Sequence, residues 1–258
     1  MSSYVQFENE FLSFREQLSS YLYRLTTDPA DTEDLLQDTY LRARQKFSGY
    51  QGKSTLKTWV FTIATNLARD NYKVKKRWQL DAQDHCRILA ESASEHQAHI
   101  FAAKASIPDQ QFEITEHIDF CFTCVAKNLK LEEQIAIILA EVYQFKRGEI
   151  AAILNKTEGV VKHLLHNSRR ALQQRYDNRC ALVSKKGVCY QCAELDATLN
   201  QSGSAKEKVT RIGLAADADQ SQILQQRFEI IRKIHPLNTK GAALEKTIMK
   251  ILHEAIGH

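Results

Sequence analysis

Apolar residues recur at three- and four-residue steps through several stretches of the chain, and each stretch predicts a helix with one buried face. Over 4–25 the positions Phe7, Phe11, Phe14, Leu18 and Leu22 fall on one side of a core-packing helix. Asp28 then supplies a cap and Pro29 a residue whose fixed φ suits a first turn, so a second helix starts there. It carries the acidic run Asp31-Thr32-Glu33-Asp34-Leu35-Leu36-Gln37-Asp38. Residues 47–54, with Gly49 and Gly52, read as a loop, and Ser54 is placed to cap the helix that follows. That third helix aligns Leu56, Trp59, Val60, Ile63 and Leu67, while Thr58, Thr62, Asn66, Arg69 and Lys73 form a polar stripe elsewhere on it. These helices make a first domain over 1–78.

The periodicity fades over 79–117, where Pro108 breaks the chain and the acids gather, so this segment reads as an acidic linker. From composition alone it is a solvated tether. A second domain follows over 118–195. Its helix over 131–145 buries Ile135, Ile138, Leu139 and Val142; then Gly148-Glu149-Ile150-Ala151-Ala152-Ile153-Leu154 makes a short helix and Asn155-Lys156-Thr157 a turn. A longer helix over 158–176 offers Val161, Leu164, Leu165, Ala171 and Leu172 for packing. Short helix, three-residue turn and long helix is the helix-turn-helix pattern, whose second helix enters the major groove. Past Gln201-Ser202-Gly203-Ser204, a helical C-terminal extension over 205–258 carries two amphipathic stripes. Leu224, Phe228, Ile231 and Ile234 mark the first, and Leu244, Ile248, Ile251, Leu252 and Ala255 the second.

Composition agrees with this reading. Nine Gly and three Pro in 258 residues, beside plentiful Ala, Leu, Gln, Glu and Lys, point to an all-α fold of two small helical domains, a linker and an extension. The net charge of +4 is modest, but it is unevenly placed: eight acids against two bases lie between 79 and 120, while bases gather at 69–77 and 162–186. Positive segments therefore alternate with a negative connector, and distribution matters more than the sum for nucleic-acid binding. No run approaches the roughly 20 apolar residues that span a bilayer, and no secretory signal opens the chain, so a cytoplasmic protein without a membrane partner is expected.

The polar stripe on the third helix turns cationic toward Lys73, with Lys75, Lys76 and Arg77 just beyond. Hydroxyls and an amide can bond base edges, whereas Arg and Lys neutralise phosphates. A plain solvated helix face gives the same pattern. Trp59 can stack on a flipped base, but its place in the apolar stripe favours packing.

These residues resemble the extracytoplasmic-function (ECF) class of bacterial RNA polymerase sigma factors. The resemblance runs through 31–43, then Phe47-Ser48-Gly49-Tyr50, then 58–70, and it reappears through Glu149-Ile150-Ala151, Leu154, Gly159, Val161-Lys162 and Leu165 to Arg169. It implies that Asp34, Gln37 and Asp38 face the clamp helices of core RNA polymerase. It also implies that residues between Phe47 and Lys73 meet the −10 promoter element and hold its melted strand, with Tyr50, Lys53, Ser54, Thr58, Trp59, Thr62, Asn66, Arg69 and Lys73 as candidates. For the −35 element the candidates are Thr157, Glu158, Lys162, His163, His166, Asn167, Arg169 and Arg170, with Arg169 and Arg170 on phosphates. The chain departs from the family at Val160, Leu164 and Asn167, where a threonine and further arginines are usual, which implies a weaker phosphate grip or an unusual −35 preference. Core polymerase and promoter DNA are the implied partners, and an anti-sigma factor is a further candidate. The C-terminal extension has no counterpart in compact members of the class, so its two stripes either pack as a hairpin on the second domain or mask a binding surface.

Six cysteines in a reducing compartment read as thiols or metal ligands. Cys121-Phe122-Thr123-Cys124 precedes the helix-turn-helix and Cys189-Tyr190-Gln191-Cys192 follows it, with Gly187 turning the chain before the second pair. Four such sulfurs form the tetrahedral soft set that suits a structural Zn2+, which would fasten the tail to the start of the second domain. Cys180 replacing one member, His117 as a ligand, a thiol–disulfide sensor and uncommitted buried thiols are the competing readings. Cys86 and His85 lack spaced partners. The expected function is that of a non-catalytic transcription initiation factor. A zinc-containing one-component helix-turn-helix repressor would explain the cysteines and the reader but leave the acidic helix and the Trp59 segment without a task. No strand-rich pattern surrounds either CxxC pair to support an oxidoreductase.

Overall fold

The structure is a computed structural model and describes residues 3–74, 114–179 and 220–239. Most of the acidic linker, Cys86, His85, Lys75 to Arg77, Cys180, Gly187, Cys189, Cys192 and the second stripe of the extension lie outside the described residues.

Four helical segments of the first domain follow the sequence closely. Helix α1 (Ser3–Thr26) buries Phe7, Phe11, Phe14, Leu18 and Leu22. Helix α2 (Pro29–Lys46) is capped by Asp28, whose carboxylate accepts the Asp31 N–H at 2.9 Å, and Pro29 occupies its first turn. A 3-10 turn (Phe47–Gly49) leads through the loop to α3 (Leu56–Val74). The cap of α3 is Thr55 rather than the expected Ser54: the Thr55 hydroxyl accepts the Thr58 N–H at 3.1 Å, while the Ser54 hydroxyl donates to the Thr55 carbonyl. A cap must reach the second or third N–H of its helix, and Ser54 stands one residue too early.

The second domain opens with α4 (Ile114–Ala126). Helix α5 (Leu131–Ile137) continues as a π-helical turn (Ile138–Val142), so the expected helix over 131–145 is interrupted, although Ile135, Ile138, Leu139 and Val142 are buried as expected. Helices α6 (Arg147–Leu154) and α7 (Glu158–Arg179) flank the turn 155–157. Asn155 ends α6 in the left-handed conformation (φ 53°), and its N–H returns to the carbonyls of Ala151 and Ala152. Asn tolerates that conformation better than most residues. Helix α8 (Gln220–Ile231) opens the described part of the extension, which runs on to residue 239. Among the described residues there is no strand.

The two predicted domains share one core. Buried side chains run continuously from Phe7 through Phe61 and Phe145 to Leu172 and Phe228. At the seam α6 lies against α3, and Phe61 meets Phe145 at 4.9 Å between ring centres. Polar groups seal it. The Tyr143 hydroxyl donates to Ser20 at 2.7 Å, the Gln134 amide donates to the Arg24 carbonyl at 3.2 Å, and the Lys127 ammonium donates to the carbonyls of Leu25 and Thr26 at 2.8 and 3.2 Å. The last two carbonyls belong to the C-terminal end of α1, where a buried cation finds the acceptors a helix leaves open.

Candidate nucleic-acid interface

Three surfaces carry the residues singled out from the sequence. On α2 the buried positions Thr32, Leu35, Leu36 and Thr39 face the core, which turns Asp34, Gln37 and Asp38 together into solvent. An open groove of about 540 Å³ lies beside them, between α1 and α2, lined by Glu8, Leu12, Arg15, Leu36, Gln37 and Tyr40 among others. Leu12 is 63% exposed at its edge. The α1 side of this groove was not singled out, because Leu12 lies outside the stripe that periodicity marks as core.

The polar stripe of α3 divides into two parts. Lys53, Asn66 and Lys73 are exposed, and Ser54, Thr62 and Arg69 are half-buried. Thr58 is buried at 1% exposure; its hydroxyl donates to Oε1 of Glu149 on α6 at 3.1 Å and pairs with the Thr55 hydroxyl at 2.8 Å. Arg69 likewise turns to the second domain and meets Glu132 of α5 at 3.4 Å, where Lys156 also stands at 3.3 Å. The seam thus covers part of the stripe expected to face DNA. Glu149 holds this contact with one oxygen while its other accepts the Lys146 N–H at 2.8 Å and caps α6. Nearby, burial lowers the pKa of Lys57, partly offset by Glu149, and its ammonium lies 4.9 Å from the centre of the Phe145 ring.

Trp59 is half-buried and packs on Tyr50 at 5.1 Å, and Tyr50 stacks on Phe47 at 6.0 Å. Its aromatic neighbours agree with the packing role read from its spacing. Burial raises the pKa of the Tyr50 phenol, and its hydroxyl donates to the Ser54 carbonyl, which pins the loop before α3.

Helix α7 exposes Glu158, Lys162, His163, His166, Arg169 and Arg170, leaves Asn167 half-buried, and buries Val161, Leu165, Ser168 and Leu172. The Thr157 hydroxyl accepts the Val160 N–H at 3.3 Å, so Thr157 serves as the cap of this helix. Arg169 differs from its neighbours. Glu141 holds its guanidinium at 2.8 Å from Nε and 2.5 Å from Nη2, which ties Arg169 to the π-helical turn. Arg170 and Lys162 carry no such tether among the contacts described.

Cys121 and Cys124 lie one turn apart on α4, the first half-buried and the second buried. Among the described residues no group of three or more His, Cys, Asp or Glu side chains is placed to hold a metal, and the second cysteine pair lies outside them. No described helix is long and apolar enough to cross a membrane.

Comparison with known proteins matches the same two segments. Sigma-70 region 2 matches residues 11–78 and sigma-70 region 4 matches residues 120–172. The ECF RNA polymerase sigma factor SigG of Mycobacterium tuberculosis is 28% identical over 169 residues, 62% of this chain; the chain thus spans about half (46%) of that relative. The RNA polymerase sigma factor YlaC of Bacillus subtilis is 25% identical over 167 residues, covering 65% of this chain and 90% of that protein. The solved complex of the sigma factor RpoE with the anti-sigma factor NepR from Bartonella quintana aligns with a TM-score of 0.44 at 22% identity, over 66% of this chain and 95% of that one. A sigma-70 region 2 and a sigma-70 region 4 thus match in order along one chain whose described residues are helical and strand-free, and the relatives it resembles are ECF RNA polymerase sigma factors.

Proposed function

We propose that this protein is a non-catalytic initiation factor that binds core RNA polymerase and directs promoter recognition and DNA melting. The observation that carries the proposal is the pairing, in one chain, of a region 2 with an exposed acidic face on α2 and a region 4 with an exposed helix-turn-helix reader. Asp34, Gln37 and Asp38 supply the polymerase contact, and the groove beside them gives a partner helix room to seat a side chain. Lys53, Asn66 and Lys73 offer exposed donors for the −10 strand, and Lys162, His163, His166 and Arg170 line the major-groove face of α7. The one-component repressor is disfavoured because it leaves the whole of residues 11–78 idle.

Reconstitution with core polymerase on a promoter library, with transcript starts mapped, tests this reading. Stable holoenzyme and defined start sites are expected. Failure to bind core rejects it, and tight promoter binding without polymerase would restore the repressor.

Zinc binding is a separate part of the proposal. Cys121 and Cys124, one helical turn apart on α4, supply two thiols on neighbouring positions of one helix, and Cys189 and Cys192 would supply the other two ligands. Metal analysis of the purified protein and of the Cys189→Ser variant checks it; equal metal content in the two removes Cys189 from the ligand set.

A further inference from the structure

The extension touches both domains at their seam. On the region 4 side, Phe228 of α8 packs edge-on against Phe122 of α4 at 5.8 Å, and the Arg227 guanidinium lies 4.2 Å from the centre of the Tyr176 ring. Just past α8, Arg232 donates from Nε to the Glu141 carbonyl at 2.5 Å, and its Nη2 stands 3.5 Å from the Glu141 carboxylate that holds Arg169. On the region 2 side, the Ile234 carbonyl accepts from Arg24 at 3.1 Å. The His235 ring lies 3.1 Å from the carbonyl and 3.5 Å from the carboxylate of Glu16. One short segment therefore bridges α1 to α4 and to the π-helical turn.

What this bridge holds shut is the seam that covers Thr58 and Arg69. Promoter elements centred near −10 and −35 lie about 25 base pairs apart, roughly 85 Å of duplex at about 3.4 Å per pair. Two domains in direct contact cannot reach both elements on straight DNA. The closed arrangement and the promoter-bound one are therefore mutually exclusive, and any group that stabilises the first opposes the second.

We propose that residues 220–239 are an intramolecular strap: their docking surface, built from Phe122, Glu141 and Tyr176 on the second domain and from Glu16 and Arg24 on the first, locks the factor in a form closed to promoter DNA. The inference rests on the promoter-reading function proposed above. Buried apolar contact at Phe228 and Ile231 supplies the affinity, and the polar contacts of Arg232, Ile234 and His235 set the register across the seam.

The test uses the full-length chain without polymerase, so that its failure is separate from failure to form holoenzyme. Phe228→Asp with Ile231→Asp removes the apolar anchor. A larger radius of gyration by small-angle X-ray scattering is expected, with affinity for a single-stranded −10 oligonucleotide rising about 5–150-fold, the usual range for coupling between sites. An unchanged radius with unchanged helicity overturns the strap, and expansion without tighter DNA binding overturns its masking role. Should the double variant lose helicity, Glu16→Ala combined with Arg232→Ala decides instead. These side chains keep partial exposure, and the pair must show the same two changes in smaller measure or the proposal falls. Should the strap open as expected while core polymerase is still refused, the strap stands as a closure device and the initiation-factor reading is what fails.

Discussion

The guanidinium of Arg24 stands 2.6 Å from the carboxylate of Asp119, with side-chain exposures of 0% and 1%, and the two residues belong to different domains. Arg24 also donates to the Thr123 hydroxyl at 3.2 Å and to the Ile234 carbonyl, so one cation joins α1, α4 and the extension. Burial is the largest influence and works against the Arg24 charge, yet the Asp119 carboxylate and the Tyr143 hydroxyl together more than offset it and hold the guanidinium above its ordinary pKa. For Asp119 burial outweighs the pairing, and Glu116 adds to it, so its pKa is pushed up to about 6. The seam is therefore closed by an ion pair whose members depend on each other.

Removing one member should cost more than removing both. Arg24→Met leaves a carboxylate buried without its cation, and a loss of about 3–5 kcal/mol is expected. Arg24→Met with Asp119→Leu leaves no orphan charge, so it should recover most of that loss. Urea unfolding of the two variants measures this; a double variant less stable than Arg24→Met alone would contradict it.

Stability should also carry a pH signature of Asp119. The group has an ordinary value of 3.8 and about 6 when folded, so between those values the folded chain binds more protons than the unfolded one. This contribution is complete below about pH 4 and is lost as pH rises through about 6. Asp119→Asn cannot ionise, so the stability of the wild type relative to this variant should fall across that window. Parallel curves for the two proteins would refute it.

Much of this architecture is legible in the sequence because local rules dictate it. The stripe from Phe7 to Leu22, the Asp28-Pro29 start of α2 and the helix-turn-helix each follow from spacing or capping within a few residues. The seam is not legible, because its residues look like surface. Arg24, Asp119, Lys127 and Gln134 are polar types usually exposed, and nothing near them in sequence marks their partners, which lie about a hundred residues away. Helical position and the family resemblance both assign Thr58 to the DNA stripe; only the docking of α6 shows that part of that stripe faces protein. The π-helical turn escaped for a similar reason, since the apolar spacing through Leu139 and Val142 is that of an ordinary helix.

The exposed face of α2 should separate binding from stability. Asp34→Ala, Gln37→Ala and Asp38→Ala alter exposed side chains, so each is expected to change stability by no more than about 0.5 kcal/mol. Together they should weaken core polymerase binding at least tenfold, about 1.4 kcal/mol. Competition for core polymerase against the wild-type chain measures this, and undiminished competition would remove the face from the contact.

On α7, Arg169 and Arg170 should behave differently despite being neighbours. Arg170 is exposed, and losing one phosphate contact should lower the salt dependence of −35 DNA binding by about one unit of slope, with little effect on folding. Arg169 is held by Glu141, so Arg169→Ala leaves a largely buried carboxylate short of a partner and should destabilise the domain by about 1–3 kcal/mol. Salt titrations of DNA binding beside thermal melts distinguish the two. Equal effects on both readouts would mean that Glu141 does not tether Arg169 in solution.

The stripe of α3 offers the sharpest internal comparison, because Thr58 and Asn66 were singled out by the same helical logic and the structure sends them to different places. Thr58→Val keeps the shape of a buried side chain but loses the bond to Glu149, worth about 1 kcal/mol, together with the bond to the exposed Thr55 hydroxyl, which water can replace. Glu149 is half-exposed and can rehydrate, so the loss should stay near that figure and lower the melting midpoint by about 2–4 °C. Asn66→Ala removes an exposed amide, so folding should be unaffected while binding to a single-stranded −10 oligonucleotide weakens. A hydroxyl that seals the closed form opposes DNA binding, whereas an amide on the open face assists it. Thr58→Val should therefore bind the oligonucleotide no more weakly than the wild type, and a loss of binding matching that of Asn66→Ala would place Thr58 in the DNA path instead of the seam.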